Sequence, residues 1–236
     1  MSKSPTSNTA VIATVWLFDS RTVDDAWFRE HADWLSDGEA ERYSRFVRKE
    51  RKRQFLIGRM LLRHAVGRLV DLPASLIKVI ERPGHAPKLE GMESGPWFSI
   101  SHSGPWIACA TSAHSAIGLD IEVMDAGRDL IGIAEQTFDA KKANAIASLK
   151  EDARVGAFYE AWCQKEAAYK LQSICDGETN KHYLALPYPE VSIVVCSAFP
   201  IEKAFIQNVV AEEMNLHIGD DPSTKEHQRI KDEKAP

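Results

Sequence analysis

The sequence predicts an α+β fold built as two similar halves. Three observations carry that expectation. β-branched and aromatic runs read as strands, and stretches with apolar residues at helical spacing lie between them. The order strand, helices, strands occurs before about Leu119 and recurs more loosely after it. The length, 236 residues, suits one large domain or two of about 100–120, each able to bury a core.

Residues 9–18 are rich in β-branched and aromatic side chains and read as a first strand. Ser36 and Asp37 can cap a helix, and Glu39 falls three after Ser36, as in a capping box. Phe46, Phe55, Leu56, Met60, Leu61, Leu62 and Val66 then keep helical spacing, which turns several of the intervening Arg and Lys side chains toward water. Prolines and glycines from Pro73 to Pro96 punctuate a strand near residues 77–81 and a long loop. Residues 97–100 and 106–111 form an expected hairpin, with Ser101-His102-Ser103-Gly104-Pro105 as its turn. A strand is expected at 116–123, helices at about 130–137, 141–149 and 152–172, and a strand at 191–198. Residues 201–216 fit a helix or a strand pair, and 219–236, polar and without periodicity, a loose tail. The expected division is therefore 1–118, 119–218 and the tail 219–236.

Composition excludes several classes. Hydrophobic residues make up 44% and charged residues 27%, which rules out disordered, collagen-like and coiled-coil chains. The longest apolar run, residues 11–18, contains Thr14 and is far short of the roughly 20 residues of a membrane span. Lys3 alone precedes it and acids follow, so a signal peptide is not expected either. Four separated cysteines without a CxxC suggest a reducing compartment, and the expectation is a soluble cytoplasmic protein. The net charge of −5 conceals an asymmetry: residues 42–68 carry ten basic side chains against Glu50 alone. Such a field implies an anionic partner or a solvated helix face. Few exposed aromatics and no helix-turn-helix disfavour nucleic acid.

Three constellations carry chemistry. In Gly118-Leu-Asp-Ile-Glu122, period 2 puts Asp120 and Glu122 on one face of a strand. Paired carboxylates need a cation or a wet edge; their hard oxygens suit magnesium or manganese, and a polar strand edge is the plain alternative. On the helix at 152–172, Phe158, Tyr169, Trp162, Val155, Tyr159 and Cys163 share an arc of roughly 140°. Glu166 and Lys170 fall inside it, as a site or as an i, i+4 ion pair. Ser101-His102-Ser103 offers hydroxyls, an imidazole and backbone N–H groups to a phosphate. A hydrolase nucleophile is the rival there, without a G-x-S-x-G elbow to support it. No Walker, Rossmann or zinc pattern occurs.

Phe98-Ser-Ile-Ser-His-Ser103, Ile117-Gly-Leu-Asp-Ile-Glu122 and Trp162-Cys-Gln-Lys-Glu-Ala-Ala-Tyr-Lys170 together resemble, in order and spacing, the 4′-phosphopantetheinyl transferases of the larger, surfactin-synthetase-activating (Sfp-type) class. The segment Phe55-Leu-Ile-Gly-Arg-Met-Leu-Leu-Arg63 is similar to that class too, so the likeness covers about residues 36–172. It implies two pseudo-symmetric α+β halves with the active site between them. It also implies transfer of phosphopantetheine from coenzyme A to a serine of an acyl or peptidyl carrier protein, releasing adenosine 3′,5′-bisphosphate. Asp120, Glu122 and Glu166 match the magnesium ligands, Ser101 and His102 the coenzyme A phosphate contacts, and Lys170 the lysine near the pyrophosphate. Glu166 is the expected base for the acceptor serine, and Arg53, with Arg48 and Arg51 as alternatives in the same stretch, the expected nucleotide contact.

The pattern departs from the class in three places. Gly84-His-Ala-Pro87 replaces a Gly-Lys-Pro, so Arg82, His85 or Lys88 takes the lysine's part. Lys142 stands where an acid is expected, and Gln172-Ser-Ile-Cys-Asp-Gly177 replaces a glycine-rich continuation. A chain with both halves needs no second copy, so a monomer is expected. A coenzyme A-binding protein of this fold without transferase activity, and a magnesium-dependent phosphohydrolase, are the other two readings.

Overall fold

Strand β1 (Val11–Asp19) divides its side chains between two cores by simple alternation. Val11, Ala13, Val15 and Leu17 point into one, and Trp16 and Phe18 into the other. The Phe18 side is covered by the 22-residue helix α3 (Lys49–Val70), which buries Leu56, Ile57, Met60 and Leu61 there. The Val15 side meets a second sheet through Ile117, Leu119 and Ile121 of β6 (Ile117–Val123) and Val191, Ile193 and Val195 of β8 (Val191–Ser197). The far face of that sheet carries another 22-residue helix, α6 (Glu151–Gln172). The order of layers is helix, sheet, sheet, helix, with one long helix per half: the α+β two-half architecture the sequence predicts.

The computed structural model describes residues 10–82, 85–175 and 179–215. Within them lie also α1 (Asp25–His31), α2 (Asp37–Ser44), β2 (Val79–Ile80), β3 (Lys88–Leu89), β4 (Trp97–Ser103), β5 (Trp106–Ser112), α4 (Leu130–Thr137), α5 (Ala140–Ala147), β7 (His182–Leu186), β9 (Ile201–Asn208) and α7 (Ala211–Asn215). The strand orders are β4-β5-β1-β9 and β6-β8-β7, with β2 and β3 as a separate pair. The expected tail at 219–236 lies outside the described residues.

Several sequence expectations need correction. β4 continues through Ser103, so Ser101-His102-Ser103 is strand and the turn is only Gly104-Pro105. Gly104 supplies the positive φ of 52° that a two-residue hairpin needs at its first position. Of the stretch expected as a helix or a strand pair, Ile201–Asn208 is a strand and Ala211–Asn215 a short helix, and that strand, β9, runs parallel to β1. The chain therefore returns to the first sheet, and a boundary at 118/119 misassigns its last strand; Val209 and Met214 even join the α3 core. β7 is an element the sequence pattern does not announce: it pairs antiparallel with β8 as the outer strand of the second sheet. Tyr169 is 72% exposed rather than on the buried arc of α6, because Ala167, Ala168 and Leu171 make the contact with the sheet at that end.

The basic helix also differs. Arg59 and Arg63 do not face water but are buried, one turn apart. Arg63 Nη1 donates to Glu39 Oε1 at 3.0 Å, Arg59 pairs with Glu39 and Glu81, and Arg42 Nη1 donates to Glu81 Oε2 at 2.6 Å. Glu39 is fully buried, and its capping role survives: the Ser36 N–H donates to Glu39 Oε2 at 2.9 Å. Burial alone would raise the Glu39 carboxyl, and the Arg63 and Ser36 bonds more than reverse this, so its pKa lies below the ordinary value. Desolvation likewise lowers Arg59.

Candidate active site

The two faces of β4 present different chemistry. Ser99, Ser101 and Ser103 face β6, and each hydroxyl accepts a backbone N–H from it: Leu119 at 3.0 Å, Ile121 at 3.3 Å and Val123 at 3.0 Å. This ladder of side chains satisfies the edge of the second sheet that β8 leaves open. On the opposite face His102 points toward α3, where Arg51 Nη1 donates to its Nε2 at 2.5 Å.

The same register brings Asp120 and Glu122 to the serines. Gly118, Asp120 and Glu122 share the β6 face that looks at α6. At Gly118 the approach is so close that a Cβ would collide with the Ala167 carbonyl oxygen. Ser101 Oγ donates to Asp120 Oδ1 at 2.8 Å, and Ser103 Oγ to Glu122 Oε2 at 2.6 Å. Lys170, near the C-terminal end of α6, spends its ammonium donors on Ser101 Oγ at 2.8 Å, the Leu119 carbonyl at 2.9 Å and Asp120 Oδ1 at 2.8 Å. The other oxygen, Asp120 Oδ2, is buried without a hydrogen-bond partner. Burial is the largest influence on Glu122 and raises its pKa; Asp120 adds to this and Ser103 opposes it.

Beside this node opens a cavity of about 250 Å³ between α3, β4, the loop at 85–87 and the end of α6. Arg42, Arg51, Arg59, His85, His102 and Lys170 supply its polar wall, and Phe46, Phe55 and Phe98 its apolar one. Burial first, then the charges of Arg51 and Lys170, push His102 down to about 4. The imidazole is thus neutral at pH 7, consistent with accepting from Arg51.

Of the residues singled out in the sequence, Ser101, Asp120 and Lys170 meet directly, Glu122 joins them through Ser103 on the same face of β4, and His102 lies on the other face, sharing with Lys170 the wall of the cavity. Glu166 stands one helical turn before Lys170 and is half-buried. Among the described residues no three His, Cys, Asp or Glu side chains are arranged to hold a metal ion, so Glu166 does not close on Asp120 and Glu122. The residues nevertheless fit one: Asp120 Oδ2 is an unsatisfied hard oxygen, with a second carboxylate two positions on. Arg53 is not at the cavity. It pairs with Asp25 and lies over the Phe28 ring on another face of α3, and Arg51 takes the place expected of it. Arg82 is spent on the Ala86 carbonyl at 2.6 Å, shaping the loop, and Lys88 is exposed on β3; the loop residue in the wall is His85. Lys142 reaches Gln164 Oε1 at 3.2 Å and lies over Phe138. Sequence reasoning misses Arg42, Arg59 and the ladder; the alternation Ser99-x-Ser101-x-Ser103 is the available signal for the last.

Comparison with known proteins converges on the same segments. The family model described as 4′-phosphopantetheinyl transferase, N-terminal, matches residues 23–114, and that of the 4′-phosphopantetheinyl transferase superfamily matches 116–193. A 4′-phosphopantetheinyl transferase of Bacillus subtilis is 34% identical over 139 residues, covering 58% of this chain and 59% of the relative. The 4′-phosphopantetheinyl transferase HetI of a Nostoc species is 29% identical over 148 residues, 62% of each. The human L-aminoadipate-semialdehyde dehydrogenase-phosphopantetheinyl transferase is 26% identical over 171 residues, 66% of this chain and 54% of the relative. The chain thus spans about 54–62% of the length of these relatives. Two adjoining family models that share the long helices and both carboxylates of the node establish that this chain belongs to the 4′-phosphopantetheinyl transferase superfamily.

Proposed function

We propose that the chain transfers 4′-phosphopantetheine from coenzyme A to a serine hydroxyl of an apo acyl or peptidyl carrier protein, acting as a monomer. The observation that carries this reading is the Lys170–Ser101–Asp120 node opening directly onto a cavity walled by cations. A ligand with a pyrophosphate and a 3′-phosphate needs such a wall, and its adenine and pantetheine need apolar neighbours such as Phe46 and Phe55.

In this reading the phosphates bind against Arg51, His102 and Lys170, with Arg42 and His85 at the rim. The neutral His102 ring offers a hydrogen bond without adding to the fixed positive charge of Arg51 and Lys170. The acceptor serine oxygen bonds to the phosphorus that carries pantetheine. The bridging P–O bond breaks, and adenosine 3′,5′-bisphosphate departs with the electron pair. Lys170 stabilises charge that grows on the leaving oxygen by exchanging one of its protein acceptors for phosphate. The serine proton passes to Glu166 once the substrates draw that side chain inward. Asp120, Glu122 and Glu166 would hold magnesium or manganese, which supplies further neutralisation of the pyrophosphate.

A coenzyme A-binding protein without transfer is the second reading, favoured by the position of Glu166 away from the other two carboxylates. Chromatography of the nucleotide products separates the two. Release of adenosine 3′,5′-bisphosphate only when an apo carrier is present supports transfer. Coenzyme A binding with no release supports the second reading, and release without an acceptor indicates hydrolysis.

A further inference from the structure

The three serines of β4 do unequal work. Ser99, Ser101 and Ser103 each accept one backbone N–H of β6, and among the described residues Ser99 makes that bond alone. Ser101 and Ser103 add a second bond, giving their protons to Asp120 Oδ1 at 2.8 Å and Glu122 Oε2 at 2.6 Å. Both the serines and the carboxylates are two positions apart on a strand, so the donors repeat at the same interval of about 7 Å as the acceptors. The hydroxyl of Ser101 is saturated, because it also accepts from Ile121 and Lys170. Ser103 bonds to no cation among the described residues and does not line the cavity of about 250 Å³. The Glu122 carboxylate therefore accounts for its proton.

That bond is restrictive. Glu122 has one more rotatable bond than Asp120, and without a donor its carboxylate would spread over several staggered rotamers. Ser103 is itself fixed, since its Oγ accepts the Val123 N–H at 3.0 Å. The strands have little play there: a Cβ on Gly104 would stand 3.2 Å from Val123 Cγ2. The donor is thus anchored to the strand that carries the carboxylate. We propose that Ser103 is a positioning residue, which holds Glu122 by Oε2 so that Oε1 joins the unsatisfied Asp120 Oδ2 in receiving a divalent cation. Ser101 holds Asp120 by Oδ1 in the same way. A hydrogen bond that orients a ligating carboxylate settles its rotamer before the cation arrives, and its loss costs roughly 10–100-fold in metal affinity. The inference rests on the reading of Asp120 and Glu122 as metal ligands.

Manganese(II) is the probe, titrated into the whole chain with coenzyme A present while the electron paramagnetic resonance signal of the free ion is followed. Coenzyme A without protein is the blank. Ser103→Ala should weaken manganese binding about tenfold, and Ser103→Thr, which keeps the hydroxyl, should stay within about threefold of wild type. Ser99→Ala removes a rung of the same ladder at a buried position. It should lower the melting temperature at least as much as Ser103→Ala, yet leave manganese affinity unchanged. If Ser103→Ala does not fold, Ser103→Cys replaces it, with a weakly donating thiol and the same direction expected. Equal affinity in wild type and Ser103→Ala, an equal loss in Ser99→Ala, or no recovery in Ser103→Thr overturns the positioning role while the metal reading stands. A wild-type chain that binds no manganese beyond the blank overturns the metal reading, and the role of Ser103 falls with it.

Discussion

Lys170 Nζ lies 2.8 Å from Asp120 Oδ1, and Ser101 Oγ bonds both, so three residues from β4, β6 and α6 meet at one point. Neither half of the chain holds this node alone. Replacing Lys170 with Ala removes the only cation that touches Asp120 among the described residues. The expected outcome is a loss of transfer of about 100-fold or more with the fold intact, whereas Lys170→Arg keeps part of the rate. Carrier modification rates with a melting curve for each variant check this.

At Gly118 no side chain fits. A methyl carbon added there would overlap the Ala167 carbonyl oxygen, and helix backbone cannot step aside as a flexible side chain could. Gly118→Ala should therefore reach or exceed the roughly 1–3 kcal/mol typical of overpacking. It should also pull Lys170 from Asp120, so urea unfolding and activity decline together.

Glu39 and Arg63 form a buried pair with side-chain exposures of 0% and 7%. Glu39→Ala leaves Arg63 charged and uncompensated and should cost about 3–5 kcal/mol in denaturant unfolding. The double replacement Glu39→Met/Arg63→Met should recover most of that loss, since the desolvation penalty disappears with the charges.

His102 predicts a pH dependence with a definite sign. Its pKa falls from 6.5 unfolded to about 4 folded, so between these values the unfolded chain binds a proton that the folded chain does not. Stability therefore declines as pH drops from about 6.5 toward 4 and levels off below it. His102→Gln should lose that part of the slope, seen in melting temperatures of both proteins across this range. Parallel curves would contradict the burial of the ring.

Where local pattern decides, the sequence is informative. β1, α3, α6 and the strand carrying Asp120 and Glu122 follow from period and composition, because each buries a continuous apolar face. Ser101-His102-Ser103 reads as a turn because Gly104-Pro105 lends turn chemistry to the residues before it, and only pairing with β5 draws them into the strand. Arg59 and Arg63 read as solvated because helical periodicity records polarity and cannot foresee Glu39 and Glu81 arriving from other elements. For the same reason Arg53 is expected at the phosphates but lies elsewhere: its tie to Asp25 is a tertiary fact. The pairing of β9 with β1 spans nearly the whole chain and leaves no local trace.

Intact-mass analysis of an apo acyl carrier protein, and of an apo peptidyl carrier, tests the central claim most directly. Each is incubated with this protein, coenzyme A and magnesium, beside a control with EDTA. The account predicts a gain of one phosphopantetheine group per carrier, abolished by EDTA and by Lys170→Ala. No gain on either carrier, with coenzyme A still bound, would contradict it.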